Sequence, residues 1–450
     1  MKFITIVGAR PKYLPHKVYY TNFYYNETIP RNINFDLVIF HTIFLYERYK
    51  MLAGNLSPHE ESVYLKRMEA VKVAVPQDEF FHTDTLCAFI NEFGVSHIFS
   101  VAPESEWRKI YRGIAPGKTA IHKVLTGYLD DDTLSRIKKY SDDMPARSTD
   151  ICYRSYKGTP GMPRHWLGSH GTLKWRVAEV ISERAIGLPL NLDISLREED
   201  TLFDDDWIKF LLRSKYIVGV EGGASVLDHD GSVMARSKQY LSEHPDAPYE
   251  QVEAACFPGL DGNLNLMALS PRHLEACATK TCQLLVEGEY NGILKPWIHY
   301  IPIKRDFSNI DEVIRIAMAD ELRDKIVEQA YSDVVESGIG YGNFVESVVR
   351  TALGQHYTSL CSTHRKQSET EANVRQENTA SPIENEKRQF LKALAENPSD
   401  SALWISLGRC AFLSGDIPLT ETAFRSALSL EPGNNQIAGI VENLARINQQ

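Results

Sequence analysis

The feature that most constrains this chain is a succession of short apolar runs, each ending in a loop and separated from the next by helical stretches. Phe3–Val7 reads FITIV, Phe35–Phe40 FDLVIF, Val71–Val75 VKVAV and His97–Val101 HIFSV, and Lys118–Leu125 gives a fifth run. Runs of four to eight apolar residues are too short for helices and suit strands buried on both faces. Between two of them, Thr83–Phe93 carries apolar residues at helical spacing and ends at Gly94, a helix C-cap. Strands alternating with helices imply a parallel sheet covered on both faces. The polar, proline-marked stretch Asp143–Arg147 ends this half. A second alternation follows: strand Ile151–Arg154, a Gly/Pro-rich loop 157–171, helix Thr172–Ile181, strand Leu188–Ile194, helix Asp204–Arg213, strand Tyr216–Val220 and strand Gln283–Val286. The expected fold class is α/β, with two Rossmann-like domains facing a cleft. The charged segment Asp228–Gly262 reads as an insertion serving as a lid, with a helix over Tyr249–Ala255.

The totals set limits on function. The 450 residues suit two or three domains, and 43% hydrophobic with 24% charged content is ordinary for a soluble protein. A net charge of −10 argues against a general nucleic-acid binder. Seven cysteines without ligand or disulfide spacing suit a reducing compartment. The N-terminus has too short an apolar core for a signal peptide, and no run of 18 apolar residues marks a spanning helix. A cytoplasmic location is expected, including the inner face of a membrane.

In open parallel sheets, chemistry collects at the carboxyl ends of strands. The loop after VKVAV carries Asp78, Glu79 and His82, candidate bases for an acceptor hydroxyl, with His41 at the adjacent strand end. In the second half, Arg154 stands at a strand end and Lys174, with Arg176, stands early in a helix behind a glycine loop. Glu221, Gly222 and Gly223 follow another strand. Cations at strand ends and glycines that admit close backbone approach suit a nucleotide diphosphate. Ser270-Pro271 opens a helix, which brings Arg272 and Glu275 into its first turns, where free N–H groups favour phosphate.

Ser270, Arg272, Glu275 and Ala276 resemble the donor-nucleotide motif of GT-B glycosyltransferases, of the group-1 and CgeB-like branch. The resemblance extends in architecture over residues 1–350. It implies that Glu275 holds the donor ribose and that Arg272 lies near the diphosphate. The donor would be a nucleotide-sugar of UDP or GDP type, a substrate, with no cofactor and no metal. The acceptor would be a glycan, a lipid-linked glycan or a protein. Many retaining members carry a second glutamate eight positions before the first; here Met267 stands there, with Glu221 or the 222–225 backbone as substitutes. The opening MKFITIVGARP is also similar to UDP-N-acetylglucosamine 2-epimerases of the same fold. A third reading is a scaffold whose α/β body is vestigial.

Residues 355–385 are polar and read as a linker. Beyond it, Trp404, Leu407, Gly408, Phe424, Ala427 and Pro432 match tetratricopeptide spacing, and Phe390, Ala393 and Pro398 precede their counterparts by 34 residues. The expected organisation is residues 1–145 for the acceptor, 146–354 for the donor with a final helix crossing back, the linker, and a helical module over 386–450. So few repeats imply docking on a protein partner or self-association.

Overall fold

The computed structural model describes residues 3–7, 17–21, 29, 31, 33–46, 60–143, 146–159, 162–355, 357, 382–413, 416–434 and 437–441. The glycine turn after Val7 and nearly all of the expected linker lie outside the described residues. The chain divides into two compact units, Met1–Leu360 and Cys361–Gln450.

Two parallel sheets form the larger unit, so the α/β class expected from the apolar runs is observed. The first contains β1 (Phe3–Val7), β2 (Lys17–Thr21), β3 (Phe35–Phe40), β4 (Val71–Ala74), β5 (His97–Ser100) and β6 (Ala120–Lys123), in the order β2-β1-β3-β4-β5-β6. The second half supplies β7 (Thr149–Arg154), a small hairpin of β8 (Gly158–Thr159) and β9 (Met162–Pro163), then β10 (Leu192–Ser195) and β11 (Ser214–Gly219). After these come β12 (Gly222–Ala224), β13 (Leu266–Ala268), β14 (Cys282–Val286) and β15 (Ile301–Ile303). Its main sheet runs β10-β7-β11-β14-β15. Each sheet is wound the same way. The second strand lies on one side of the first, and later strands add on the other. The order therefore reverses between β1 and β3, and between β7 and β11.

Local chemistry explains most of these elements. Helix Thr83–Phe93 buries Leu86, Phe89, Ile90 and Phe93, and Gly94 ends it with φ 65°, its N–H returning to Asn91 and Ile90 carbonyls. Strand β10 begins four residues later than expected. The Leu188 N–H is spent in a turn on Ala185 carbonyl, and pairing with β7 starts only at Leu192 opposite Ile151. Strand β2, short and tyrosine-rich, was not expected.

Residues 228–262 are not a lid. They form helices Ser232–Glu243 and Tyr249–Cys256, whose Val233, Leu241, Val252, Cys256 and Phe257 share one core with Phe40, Phe89 and Ile98 of the first half. Phe80 and Phe81 meet Trp166, from the second half, at 5.6 and 5.5 Å between ring centroids. Backbone bonds seal the junction: Asp228 N donates to Phe80 O at 2.7 Å and Asp84 N to His229 O at 3.0 Å. Helix Tyr341–Leu353 lies against the first sheet, with Val348, Val349 and Leu353 packed on Leu37, Ile39, Val73 and Phe99.

The smaller unit contains helices Pro382–Glu396, Ser401–Leu413 and Ile417–Leu430. A Cβ on Gly408 would stand 3.0 Å from the Phe424 ring, so the bare backbone there admits the aromatic side chain.

Candidate functional site

Main-sheet strands β7 and β11 are paired neighbours where the strand order reverses. The connections after such strands leave toward opposite faces, and the crevice outside their carboxyl ends is the usual place for a ligand in a doubly wound sheet. A cavity of about 220 Å³ lies at this point. Tyr153, Arg154 and Ser155 line it from the end of β7, and Ile217–Val220 and Gly222 from the end of β11. Ser270, Arg272 and His273 come from the start of helix Pro271–Ala278. Tyr156, Arg164, Lys174, Trp207 and Gln283 complete the lining.

The close approach of helix Pro271–Ala278 to β11 depends on Gly219. A Cβ there would fall 2.6 Å from Leu285 Cδ2 and 2.8 Å from His273 Cε1. His273 is buried, with Nδ1 3.0 Å from Gln283 Oε1. Burial lowers its pKa to about 4, so the imidazole stays neutral. Ser270 is extended at the helix N-cap and makes no side-chain cap bond, while Pro271 occupies the first turn. Pro271 carries no N–H and the His273 N–H returns to the Ser270 carbonyl at 3.0 Å, so the Arg272 N–H and the Ser270 hydroxyl are the donors this turn keeps beside the cavity.

Three cations set the charge of the site. Lys174 is half-buried, and no hydrogen bond or ion pair holds its ammonium among the described residues. Burial lowers its pKa to about 8; Arg164 and Arg272 push the same way, and Asp78 opposes them. Arg164 lies over the Tyr156 ring at 3.8 Å. Arg272 is exposed, donates to the Arg154 carbonyl at 2.8 Å and lies over Trp207 at 5.1 Å. Glu275, one turn on, accepts from Trp207 Nε1 at 2.7 Å, and burial raises its carboxyl pKa.

Other expected site residues serve the scaffold. The Arg154 guanidinium is spent on Asp193, at 2.6 Å to the carboxylate, and on the Asp200 carbonyl at 3.1 Å. Glu221 is buried and accepts from the Tyr290 and Glu289 N–H groups at 2.7 and 3.3 Å, so it does not stand in for the glutamate absent at Met267. Gly223 pairs with Met267 between β12 and β13 at φ 114°, and a Cβ would stand 1.8 Å from Leu266 O. Only glycine fits that position.

The three candidate bases separate as well. Glu79 is fully buried and accepts from Ser100 Oγ at 2.6 Å, from Val101 N at 2.8 Å and from the Tyr111 hydroxyl; burial raises its pKa. Those bonds occupy the carboxylate inside the first lobe. His82 is buried at φ 49° with its ring against Gly231, where a Cβ would stand 2.0 Å from Cε1. Asp78, at φ 52°, is the one of the three whose charge acts on Lys174.

At the N-terminus of helix Ser169–Arg184, Asp261 Oδ1 accepts from Ser169 N at 3.1 Å and from Ser225 Oγ at 2.6 Å, and Ser225 Oγ accepts from His170 N at 3.2 Å. A phosphate there would meet a carboxylate and two occupied N–H groups, whereas the start of helix Pro271–Ala278 lines the cavity. Sequence reasoning missed Arg164 and Trp207. Both types favour ligand sites, but neither position carries a spacing signal.

No family model matches the chain, and no curated protein matches it. Among solved structures, it is similar to HepE from Anabaena in complex with UDP-glucose, at 10% identity over 80% of this chain and 100% of that chain, with a TM-score of 0.39. Sucrose-phosphate synthase from Thermosynechococcus elongatus matches at 7% identity over 81% of this chain and 100% of that chain, with a TM-score of 0.41. A DNA-modifying β-glucosyltransferase matches at 10% identity over 78% and 99%, with a TM-score of 0.39.

Proposed function

We propose that this chain is a glycosyltransferase that moves a sugar from a UDP- or GDP-type nucleotide-sugar to a glycan, lipid-linked glycan or protein acceptor. One observation carries the reading: Arg164, Lys174 and Arg272 converge on a cavity at the switch point, beside the N-terminus of helix Pro271–Ala278. Such a site suits a diphosphate, because fixed positive charge and N–H dipoles need no rearrangement to meet it. Lys174 and Arg272, with Arg164, would hold the diphosphate, Ser270 and Gly222 would border it, and Glu275 would accept from the ribose hydroxyls. During transfer the acceptor oxygen bonds to the anomeric carbon. The bond from that carbon to the diphosphate oxygen breaks, and its electron pair leaves with the nucleoside diphosphate. The cations stabilise that leaving charge. Asp78, whose charge acts on Lys174 from the first half, would take the acceptor proton.

The C-terminal helices we read as a tetratricopeptide-like module that docks a protein partner or a second copy. The seating of Phe424 on Gly408 supports this.

Titration calorimetry with UDP, GDP and ADP and their sugars tests the donor site. The expected result is micromolar binding of at least one, lost in Arg272→Ala. No binding by any of them sinks the reading. Epimerisation of UDP-N-acetylhexosamine without an acceptor would favour an epimerase of the same fold instead.

A further inference from the structure

Trp207 stands on helix Asp204–Leu212, which leads into β11, and its indole faces the first turns of helix Pro271–Ala278. Nε1 donates to Glu275 Oε2 at 2.7 Å, and the ring lies 5.1 Å from the Arg272 guanidinium carbon. One side chain thus touches both groups assigned above to ribose and to phosphate. The indole is itself held in place. Phe210 stacks on it at 5.6 Å and 29°, and Arg154, anchored on Asp193, covers Phe210 at 4.4 Å.

Glu275 has no other side-chain hydrogen bond among the described residues. A carboxylate offers acceptor sites on both oxygens. With Oε2 taken by the indole, Oε1 remains for a hydroxyl of a ligand. A carboxylate without that bond would rotate about its side chain, and part of the affinity would be lost to ordering it.

We infer that Trp207 is a positioning residue of the nucleotide site: its N–H orients Glu275 toward a ribose hydroxyl, and its face aligns Arg272 with the diphosphate. The inference rests on the cavity being a nucleoside diphosphate site. The two duties are chemically separable. Phenylalanine keeps an aromatic face for the guanidinium and lacks the N–H donor.

The test is calorimetry on the full chain with UDP and GDP against their 2′- and 3′-deoxy counterparts. Wild type should prefer at least one ribonucleotide over its deoxy form by about tenfold, the loss expected when a hydrogen bond to a charged group is removed. Trp207→Phe should lower that ratio to the value found for Glu275→Gln, with deoxynucleotide affinity nearly unchanged. The double variant should add nothing to Glu275→Gln. Inorganic pyrophosphate, which reports only the cations, should bind Trp207→Phe as it binds wild type. A Trp207→Phe protein that discriminates ribose as well as wild type overturns the positioning role and leaves the nucleotide reading standing. Wild type that binds no nucleoside diphosphate overturns both.

Discussion

Lys174 is the charged group of the cavity whose state changes in an accessible pH range. Its pKa is lowered to about 8 by burial, with Arg164 and Arg272 adding to the effect. Below pH 8 the ammonium is charged and attracts a diphosphate; above it the amine is neutral and the attraction goes. A terminal phosphate, with a second pKa of about 6, is largely ionised above about pH 7, so it adds little opposing change. Nucleoside diphosphate affinity should therefore begin to fall as pH rises through 8, and level off above the higher pKa that the bound anion gives the amine. Lys174→Met should lose roughly tenfold or more of the affinity at pH 7 and show a flat profile above it. Lys174→Arg should also be flat, with affinity retained, because a guanidinium does not titrate there. Calorimetry between pH 7 and 9.5 reads all three. Glu79 gives the contrasting case. Glu79→Ala would leave the Val101 N–H and the Ser100 and Tyr111 hydroxyls without their buried acceptor. The expected cost is about 2–4 kcal/mol of stability, seen in denaturant unfolding, with nucleotide affinity unchanged. A loss of affinity without a loss of stability would return Glu79 to the site.

At the scale of elements, the cavity exists because helix Pro271–Ala278 is drawn close to β11 over Gly219. Gly219→Ala puts a methyl group against Leu285 and the flat ring of His273, and overpacking of this kind costs about 1–3 kcal/mol. The helix should shift outward, taking Arg272 and Glu275 with it, so nucleotide affinity should drop severalfold. Gly187→Ala, where a Cβ meets nothing within 4 Å, should leave affinity intact despite its positive φ. Equal affinity in Gly219→Ala and wild type would detach the helix position from binding. This helix and Thr83–Phe93 were legible in sequence because their signals are local: Ser-Pro at one start, apolar spacing and Gly94 at the other end. Of the helices in 228–262, Tyr249–Cys256 was legible and Ser232–Glu243 was not. Charges dilute the apolar pattern of the latter, and its buried Val233 and Leu241 share a core with residues over a hundred positions away in the first half. The site was legible to the same degree. Residue types at strand ends and helix starts marked Lys174, Gly222, Ser270 and Arg272, which do line the cavity, and Arg154, which lines it with its guanidinium already bonded to Asp193. The same rule marked Glu221 and Glu79, whose charges are spent on backbone N–H groups and on Tyr111. A strand-end charge and a structural one look alike until the partner is known.

For the whole molecule, the hydrophobic clusters are divided differently from the strands. Trp166 and Leu167, from the half that builds the second sheet, sit in the core of the first. The described clusters of the C-terminal helices, around Phe424 and Leu394, include no residue of the larger unit. The two sheets should therefore unfold together, and the C-terminal helices separately. Trp166→Ala removes a buried ring that touches Phe80 and Phe81, at a cost of about 3–5 kcal/mol. Hydrogen exchange followed by mass spectrometry in rising denaturant should show peptides of β4 and of β11 losing protection at one lowered midpoint, with peptides of 401–430 unchanged. Gly408→Val should do the reverse. The added methyl groups push on Phe424, already 3.0 Å from a Cβ at that position, and open helices Ser401–Leu413 and Ile417–Leu430 while β4 and β11 keep their protection. Separate midpoints for β4 and β11 in Trp166→Ala would mean that the shared core does not couple the lobes.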